Sequence, residues 1–85
     1  MAQTEFRLQY KCGGLSASVV TRNTDTVDTL TKAIKEDYIL RRPATNTLDD
    51  FVVMVAGKIL PLDSLVGDNK LQEATELTVV RMDFQ

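Results

Sequence analysis

Apolar and polar residues alternate in two segments near the start of the chain. Every second residue is apolar across residues 6–10, and the same period of two returns across residues 15–19. This period is typical of a β-strand with one buried face. The turn-forming pair Gly13-Gly14 lies between the segments, so we predict that the two strands form a β-hairpin.

The spacing of apolar residues then changes to three or four positions, which predicts an amphipathic helix. Its apolar face carries Val27, Leu30 and Ile34. Asp25 or Thr26 can cap its start, since either side chain can accept a hydrogen bond from the first turn. The helix must end before Pro43, whose ring disfavours helical geometry at the preceding residue. Residues 41–50 are expected to form a polar loop.

The next apolar segment, residues 51–55, is predicted to be a strand. It is too short for a helix before Gly57, and four of its five residues are β-branched or aromatic. Gly57 can adopt the positive φ of a tight reversal. That reversal leads into a short edge strand at Ile59-Leu60, which Pro61 ends.

Residues 62–71 are predicted to connect the edge strand to the rest of the fold, with room for one helical turn. The leucines at positions 62, 65 and 71 are expected to be buried. Residues 73–75 are predicted to form a turn, and residues 77–82 alternate again and predict the last strand.

This order of elements predicts an α+β domain, because one amphipathic helix can cover one face of one mixed sheet of about four or five strands. We expect a single domain over residues 1–85, with its ordered part at about residues 5–82. The predicted core consists of Phe6, Leu8, Leu15, Ala17, Val19, Val27, Leu30, Ile34, Phe51, Val53, Leu65, Leu71, Leu77 and Val79.

The composition argues against catalysis by this chain. It contains no histidine, the commonest general base and metal ligand. Its one cysteine, Cys12, therefore has no histidine partner, and a small apolar role at the end of the hairpin is expected for it. A single cysteine excludes an internal disulfide and fits a reducing compartment, so we expect a cytoplasmic protein. We predict no catalytic residue, no cofactor and no metal ion.

Charge and hydropathy indicate neither a nucleic-acid partner nor a membrane. The net charge is −2, from ten basic and twelve acidic residues, whereas nucleic-acid binding favours a basic face. The pair Arg41-Arg42 is expected to be a solvated part of its loop. The longest apolar run, residues 51–56, is far too short to span a bilayer.

Several motifs, taken in order, resemble ubiquitin-like domains over about residues 5–82. Asp25-Thr26-Val27 resembles the start of the helix in that family, and Val53-Met-Val-Ala-Gly-Lys58 resembles its hydrophobic Ala-Gly-Lys turn. Ser64-Leu65, Leu71 and Glu76–Val80 resemble the segment that closes the fold. The resemblance implies a ubiquitin-like β-grasp fold in ββαββ order, and a binding module without catalytic activity.

Two features depart from the conjugated members of that family. Those proteins end in a terminal Gly-Gly, whereas this chain ends with Arg81-Met-Asp-Phe-Gln85. Its only Gly-Gly pair lies in the predicted first hairpin. The chain is therefore expected to be of a non-conjugated type, unless it has been truncated. The loop at residues 42–50 is also longer than in ubiquitin.

The alternation in the strands also predicts a candidate binding face opposite the helix. The resemblance implies that this face contacts partners and that Lys58 lies at its rim; Gly13-Gly14 replaces a leucine found in the family's first loop. The predicted protein-binding residues are Val52, Met54, Lys58, Thr78, Val80 and Met82. An apolar face is typical of an interface core. It is also compatible with burial by another domain or a second copy, or with the ordinary preference of strands for valine.

Three functions are compatible with these observations. The first is a non-catalytic domain that docks or recruits a protein through the exposed sheet face. The second is a small stand-alone accessory subunit, similar in length and layout to the β-grasp proteins of type VII secretion and multicomponent monooxygenases. The third is a modifier truncated before its Gly-Gly.

Overall fold

The first two strands form a hairpin on which the rest of the fold is built. The computed structural model describes residues 5–45, 50–69, 71 and 75–82. Its elements are β1 (Glu5–Cys12), β2 (Leu15–Arg22), α1 (Val27–Arg41), β3 (Asp50–Val55), β4 (Lys58–Ile59), a 3₁₀ helix (Val66–Asn69) and β5 (Glu76–Met82). This order confirms the predicted arrangement of strands around one helix, including the helical turn in the connection after β4.

The five strands form one mixed sheet in the order β2-β1-β5-β3-β4. The neighbours β1 and β5 are parallel, while the β1–β2, β3–β5 and β3–β4 pairs are antiparallel. The chain returns to the middle of the sheet with its last strand, so β5 joins the first hairpin to the second. Helix α1 packs against one face, and no other described element covers the opposite face, which we call the open face.

The β1–β2 hairpin and the β3–β4 hairpin are each closed by a two-residue turn whose residues have positive φ. Gly13 and Gly14 have φ values of 55° and 83°, so both central residues adopt the left-handed conformation of a type I′ turn, which matches the twist of paired strands. In the second hairpin Gly57 has a φ of 80°, as the sequence predicts, and Ala56 has a φ of 52°. A left-handed alanine is uncommon because its Cβ crowds the following carbonyl oxygen.

The start of α1 is held by its own N-cap and by backbone hydrogen bonds to the segment that connects β4 with the 3₁₀ helix. The side chain of Thr26 accepts a hydrogen bond from the Thr29 N–H, which makes Thr26 the N-cap. The Val27 N–H donates to the Ser64 carbonyl at 2.8 Å, and the Asp28 N–H donates to the Leu62 carbonyl at 3.0 Å. These bonds satisfy donors that a helix cannot pair internally.

Asp25 belongs to the turn before the helix and is not its cap. Its Oδ2 accepts hydrogen bonds from the Arg22 N–H and the Thr21 hydroxyl. At the other end of α1, the Arg42 N–H donates to the Tyr38 carbonyl at 2.8 Å, and the helix ends before Pro43 as predicted. Residues 46–49 of the predicted polar loop lie outside the described part of the chain.

The core lies between α1 and the inner face of the sheet. Its buried hydrophobic residues are Leu8, Tyr10, Cys12, Val27, Leu30, Ile34, Tyr38, Phe51, Val53, Leu60, Val66, Leu71, Leu77 and Val79. Four predicted core residues, namely Phe6, Leu15, Ala17 and Val19, are only partly buried against it. Tyr10 is not in the predicted core, although the alternation places it on the same side as Leu8, because a tyrosine hydroxyl is fully buried only where it finds a hydrogen-bond partner.

The prediction of buried leucines at positions 62 and 65 is wrong. Leu62 is 52% exposed and Leu65 is 40% exposed, while their neighbour Val66 is fully buried. Leu65 forms an isolated β-bridge with Thr26, and the Val66 N–H donates to the Asp25 carbonyl at 2.8 Å. These two backbone contacts direct Val66 to the core. Residues 73 and 74 of the predicted turn at residues 73–75 lie outside the described residues.

Candidate functional site

The open face of the sheet brings together five of the six predicted binding residues. In the β3–β5 register Val52 lies opposite Val80, Met54 lies opposite Thr78, and Met82 lies opposite Asp50. The residues between them along the two strands, Phe51, Val53, Leu77 and Val79, are buried on the helix side. Because side chains alternate along a strand, the first set projects from the face opposite the helix.

The apolar residues of this face are accessible to different degrees. Val80 is 43% exposed and Met82 is 55% exposed, whereas Val52 and Met54 are half-buried among their neighbours. Thr78 is exposed and separates the apolar residues from the polar strands beyond it.

Ile59 also lies on this face, although it was not among the predicted binding residues. It stands opposite Met54 in the β3–β4 register and is 65% exposed. The turn Ala56-Gly57 makes Val55 and Lys58 the first pair and Met54 and Ile59 the second. Directly opposite residues point to the same side of a sheet, so Ile59 and Met54 share the open face. We call Val52, Met54, Ile59, Val80 and Met82 the apolar strip.

Lys58 is not brought onto the same face by the register. It pairs with Val55, which packs against the core on the helix side. Directly opposite residues point to the same side of a sheet, so the Lys58 side chain begins on the side away from Met54. Its position at the tip of the hairpin, where it is exposed, leaves it next to the edge of the apolar strip.

Apart from Val20, which is 55% exposed, the half of the open face formed by β1 and β2 is polar. Lys11 lies opposite Ser16 on β2 and opposite Thr78 on β5, and its Nζ is 3.6 Å from Glu76 Oε2. A shallow depression of about 320 Å³ lies here, with Gln9 and Ser18 among its lining residues. The open face therefore has an apolar side on β3, β4 and β5 and a polar side on β1 and β2.

A buried hydroxyl on β1 is linked to charged side chains of the helix. The Tyr10 hydroxyl donates to Asp37 Oδ2 at 2.5 Å, and Arg41 Nε donates to the same oxygen at 2.9 Å. Burial, together with the hydrogen bond to Asp37, raises the pKa of Tyr10 far above its ordinary value. Burial favours a higher pKa for Asp37, but the hydrogen bonds from Tyr10 and Arg41 outweigh it and lower that pKa.

The thiol of Cys12 lies within the core. Cys12 is 2% exposed, and burial raises the pKa of its thiol, although the positive charge of Arg81 opposes this shift. A thiol with a raised pKa is a poor nucleophile at neutral pH, because the thiolate is the reactive form. Among residues 5–45, 50–69, 71 and 75–82, no three His, Cys, Asp or Glu side chains are grouped to hold a metal ion.

Comparison with known proteins rests on structure alone. No family model and no curated protein matches the sequence. The ubiquitin-like domain of Plasmodium falciparum Dsk2 superposes with a TM-score of 0.73 at 19% identity, over 92% of this chain and 99% of that one. This chain has the ubiquitin-like β-grasp fold.

Two further solved structures have the same fold. The ubiquitin-like domain of EccD5 from Mycobacterium xenopi matches with a TM-score of 0.74 at 9% identity, over 96% of this chain and 99% of that domain. A chain of the toluene 4-monooxygenase HD complex with the inhibitor 4-bromobenzoate matches with a TM-score of 0.77 at 18% identity, over 92% and 99%. At these identities the likeness establishes the fold and no more.

Helix α1 has 15 residues. Within the described part of the chain, no helix has the length and apolar character needed to cross a membrane.

Proposed function

We propose that this ubiquitin-like domain is a non-catalytic docking module that binds a protein partner through the apolar strip. The observation that carries the proposal is the cross-strand pair Val52–Val80, flanked on the same face by Met54, Ile59 and Met82. The proposed contact residues are Val52, Met54, Thr78, Val80 and Met82 from the sequence, with Ile59 added and Lys58 at the rim.

The physical basis is the contrast between the two sides of the open face. Protein interfaces have an apolar, dehydrated centre and a polar rim, and the strip has Thr78 and the Lys11–Glu76 ion pair along one border. Methionine side chains adapt to differently shaped partners because they are unbranched and polarizable. Met54 and Met82 therefore suit a surface that accommodates another protein. A neighbouring domain could occupy the same strip.

A second candidate function is a non-catalytic accessory subunit of a larger assembly. The chain aligns with 99% of the EccD5 domain and with 99% of a chain in the toluene 4-monooxygenase HD complex. Both of those chains are therefore about as long as this one. In this function the strip would be a permanent subunit contact, and any reaction would belong to other chains. We propose a cytoplasmic location for either function, since the free thiol of Cys12 suits a reducing compartment.

The test combines Met54→Glu with Val80→Glu, which places two charges in the middle of the strip. Both side chains face away from the core, so the variant is expected to fold, as circular dichroism would verify. Proteins captured by the wild-type domain are purified, and their affinity for both forms is measured by titration calorimetry. We expect the double variant to lose binding.

A matched control is Leu40→Glu with Leu62→Glu. These two leucines are 80% and 52% exposed and lie outside the strip, so the control adds the same charge elsewhere. Binding should survive in it. Equal affinity of the folded strip variant and the wild type would disprove the proposal. A complex that stays intact through gel filtration in high salt would favour the accessory subunit over a transient docking module.

A further inference from the structure

The two edges of the sheet differ in length. The edge strand β4 has two residues, whereas the edge strand β2 has eight and pairs with β1 without a bulge from Cys12–Leu15 to Glu5–Arg22. Long edge strands are usually protected from pairing by lysine, proline or a bulge. Strand β2, with the sequence LSASVVTR, contains neither lysine nor proline.

The backbone groups that β2 directs away from β1 can be identified from the turn. Residues that directly flank a two-residue turn form a hydrogen-bonded pair, and such pairs then alternate along the ladder. Cys12–Leu15 is the flanking pair, so Ser16, Ser18 and Val20 direct their N–H and C=O groups outward. The Gln9 N–H confirms this phase, because it donates to the Thr75 carbonyl and not to Ser18.

Within the described part of the chain, the protein's own groups close only the end of this edge. The Arg22 N–H donates to Asp25 Oδ2, and the Arg22 carbonyl accepts from the Asp25 N–H. Among the described residues, no hydrogen bond reaches the outward backbone groups of Ser16, Ser18 and Val20. The open part of the edge is therefore residues 16–20.

The helix side of β2 is also incompletely covered. Leu15, Ala17 and Val19 are only partly buried against the core, although they project toward the face that α1 covers. A strand added beside β2 would cover part of this apolar surface as well as the open backbone groups.

We propose that β2 pairs antiparallel with β2 of a second copy of this chain, with Ser18 of each copy opposite the other. In this register Ser16 meets Val20 of the second copy, so the outward groups of one edge meet the outward groups of the other. Two bonds for each hydrogen-bonded pair give about six hydrogen bonds across the two-fold axis. The two five-stranded sheets become one continuous sheet, with both helices on the same side.

The side chains of β2 complement themselves in this register. On the open face the small Ser16 meets the larger Val20, and on the helix side the small Ala17 meets Val19. No charged residue lies between Leu15 and Thr21, so like charges do not meet across the axis. A second copy therefore satisfies the backbone and both faces at once, which selects it over an unrelated peptide.

The register makes Ser18 the position that tests the proposal. Ser18→Lys and Ser18→Glu each place two like charges directly opposite one another, which is unfavourable. Sedimentation velocity from about 10 µM to about 1 mM covers weak association. We expect a concentration-dependent dimer for the wild type and for Ser18→Ala, and monomers for each charged variant at the concentration where the wild type is half dimeric. An equimolar mixture of the two charged variants should form dimers again.

Hydrogen exchange supplies a second readout that identifies the edge. The amides of Ser16, Ser18 and Val20 should gain protection as the wild-type concentration rises, while those of Ala17 and Val19 are protected throughout by β1. Ser18→Pro removes one outward N–H without touching the β1 ladder and should abolish the dimer. The Met54→Glu, Val80→Glu variant should still dimerise, which separates this surface from the apolar strip. A wild type that stays monomeric, or charged variants that dimerise as it does, would overturn the proposal.

Discussion

The hydroxyl of Tyr10 donates a hydrogen bond to Asp37, from strand β1 of the sheet to helix α1. Tyr10 is fully buried, and Asp37 lies 27 residues later in the chain. Arg41, one turn further along the helix, binds the same carboxylate oxygen. The helix is thus attached to the sheet by a directional polar contact as well as by apolar packing, which restricts its position along the strands.

Replacement Tyr10→Phe should destabilise the domain by about 1.5–3 kcal/mol, the range for a hydrogen bond to a charged group. The aromatic ring stays in place, and only the hydroxyl is lost. The free energy of unfolding, measured with urea, gives the value. Arg41→Ala should cost less, because its side chain is 49% exposed and exposed ion pairs contribute little. Equal costs for the two variants would contradict the dominant role of the Tyr10 bond.

The same pair predicts a loss of stability at both ends of the pH range. The pKa of Asp37 is lowered in the folded protein, so its contribution is present above its unfolded value of about 3.9 and is lost as the pH falls below that. The pKa of Tyr10 is raised, so its contribution is complete below its unfolded value of about 10 and is lost as the pH rises above that. Urea unfolding across this range measures both effects.

Tyr10→Phe provides the control for the pH dependence. It removes the alkaline titration of Tyr10 and one of the bonds that lower the pKa of Asp37. The variant should therefore lose less stability than the wild type between about pH 10 and pH 11. An unchanged alkaline profile would show that other groups cause the loss.

The left-handed Ala56 predicts a stabilising substitution. Asparagine tolerates positive φ better than alanine does, and Asn-Gly is the preferred pair in type I′ turns. Ala56→Asn should raise the free energy of unfolding by about 0.5–1 kcal/mol. Ala56→Val should lower it, because a β-branched residue is strongly disfavoured at this φ. The thermal midpoints of the two variants should lie on opposite sides of the wild-type value.

The exchange of roles between Leu65 and Val66 can be tested with two alanine variants. Val66→Ala removes buried methyl groups and should cost about 1.5–3 kcal/mol. Leu65→Ala removes more atoms from a residue that is 40% exposed and should cost less than about 1 kcal/mol. Urea unfolding of both variants gives the comparison, and a larger loss for Leu65→Ala would mean that the connection packs differently.

The regular elements could be predicted because their signals are local. Period-two alternation in residues 6–10 and 15–19, the glycines at the turns and the stop before Pro43 each act within a few residues. The connection at residues 62–71 lacks such a signal. Burial of Val66 depends on backbone contacts with Thr26 and Asp25, forty residues earlier in the chain, and no local pattern contains that information.

The candidate site also contains some residues that the sequence could place and others that it could not. Alternation along β3 and β5 placed Val52, Met54 and Val80 on one face because a strand has only two sides. The presence of Ile59 on the open face and the position of Lys58 off it depend on the register between β4 and β3. A slip of one residue in that register would move every β4 side chain to the other face. Cross-strand register is a property of the folded sheet.

The sequence by itself determined the helix, the main strands and the two hairpin turns of the described residues, and which residues of β3 and β5 point away from the helix, since backbone sterics and apolar periodicity act locally. The tertiary structure alone decided the strand order, in which β5 lies beside β1 and leaves β2 at the edge. It also decided the bond between Tyr10 and Asp37 and the burial of Val66. These features depend on contacts between distant segments, and such contacts form only when the whole core closes.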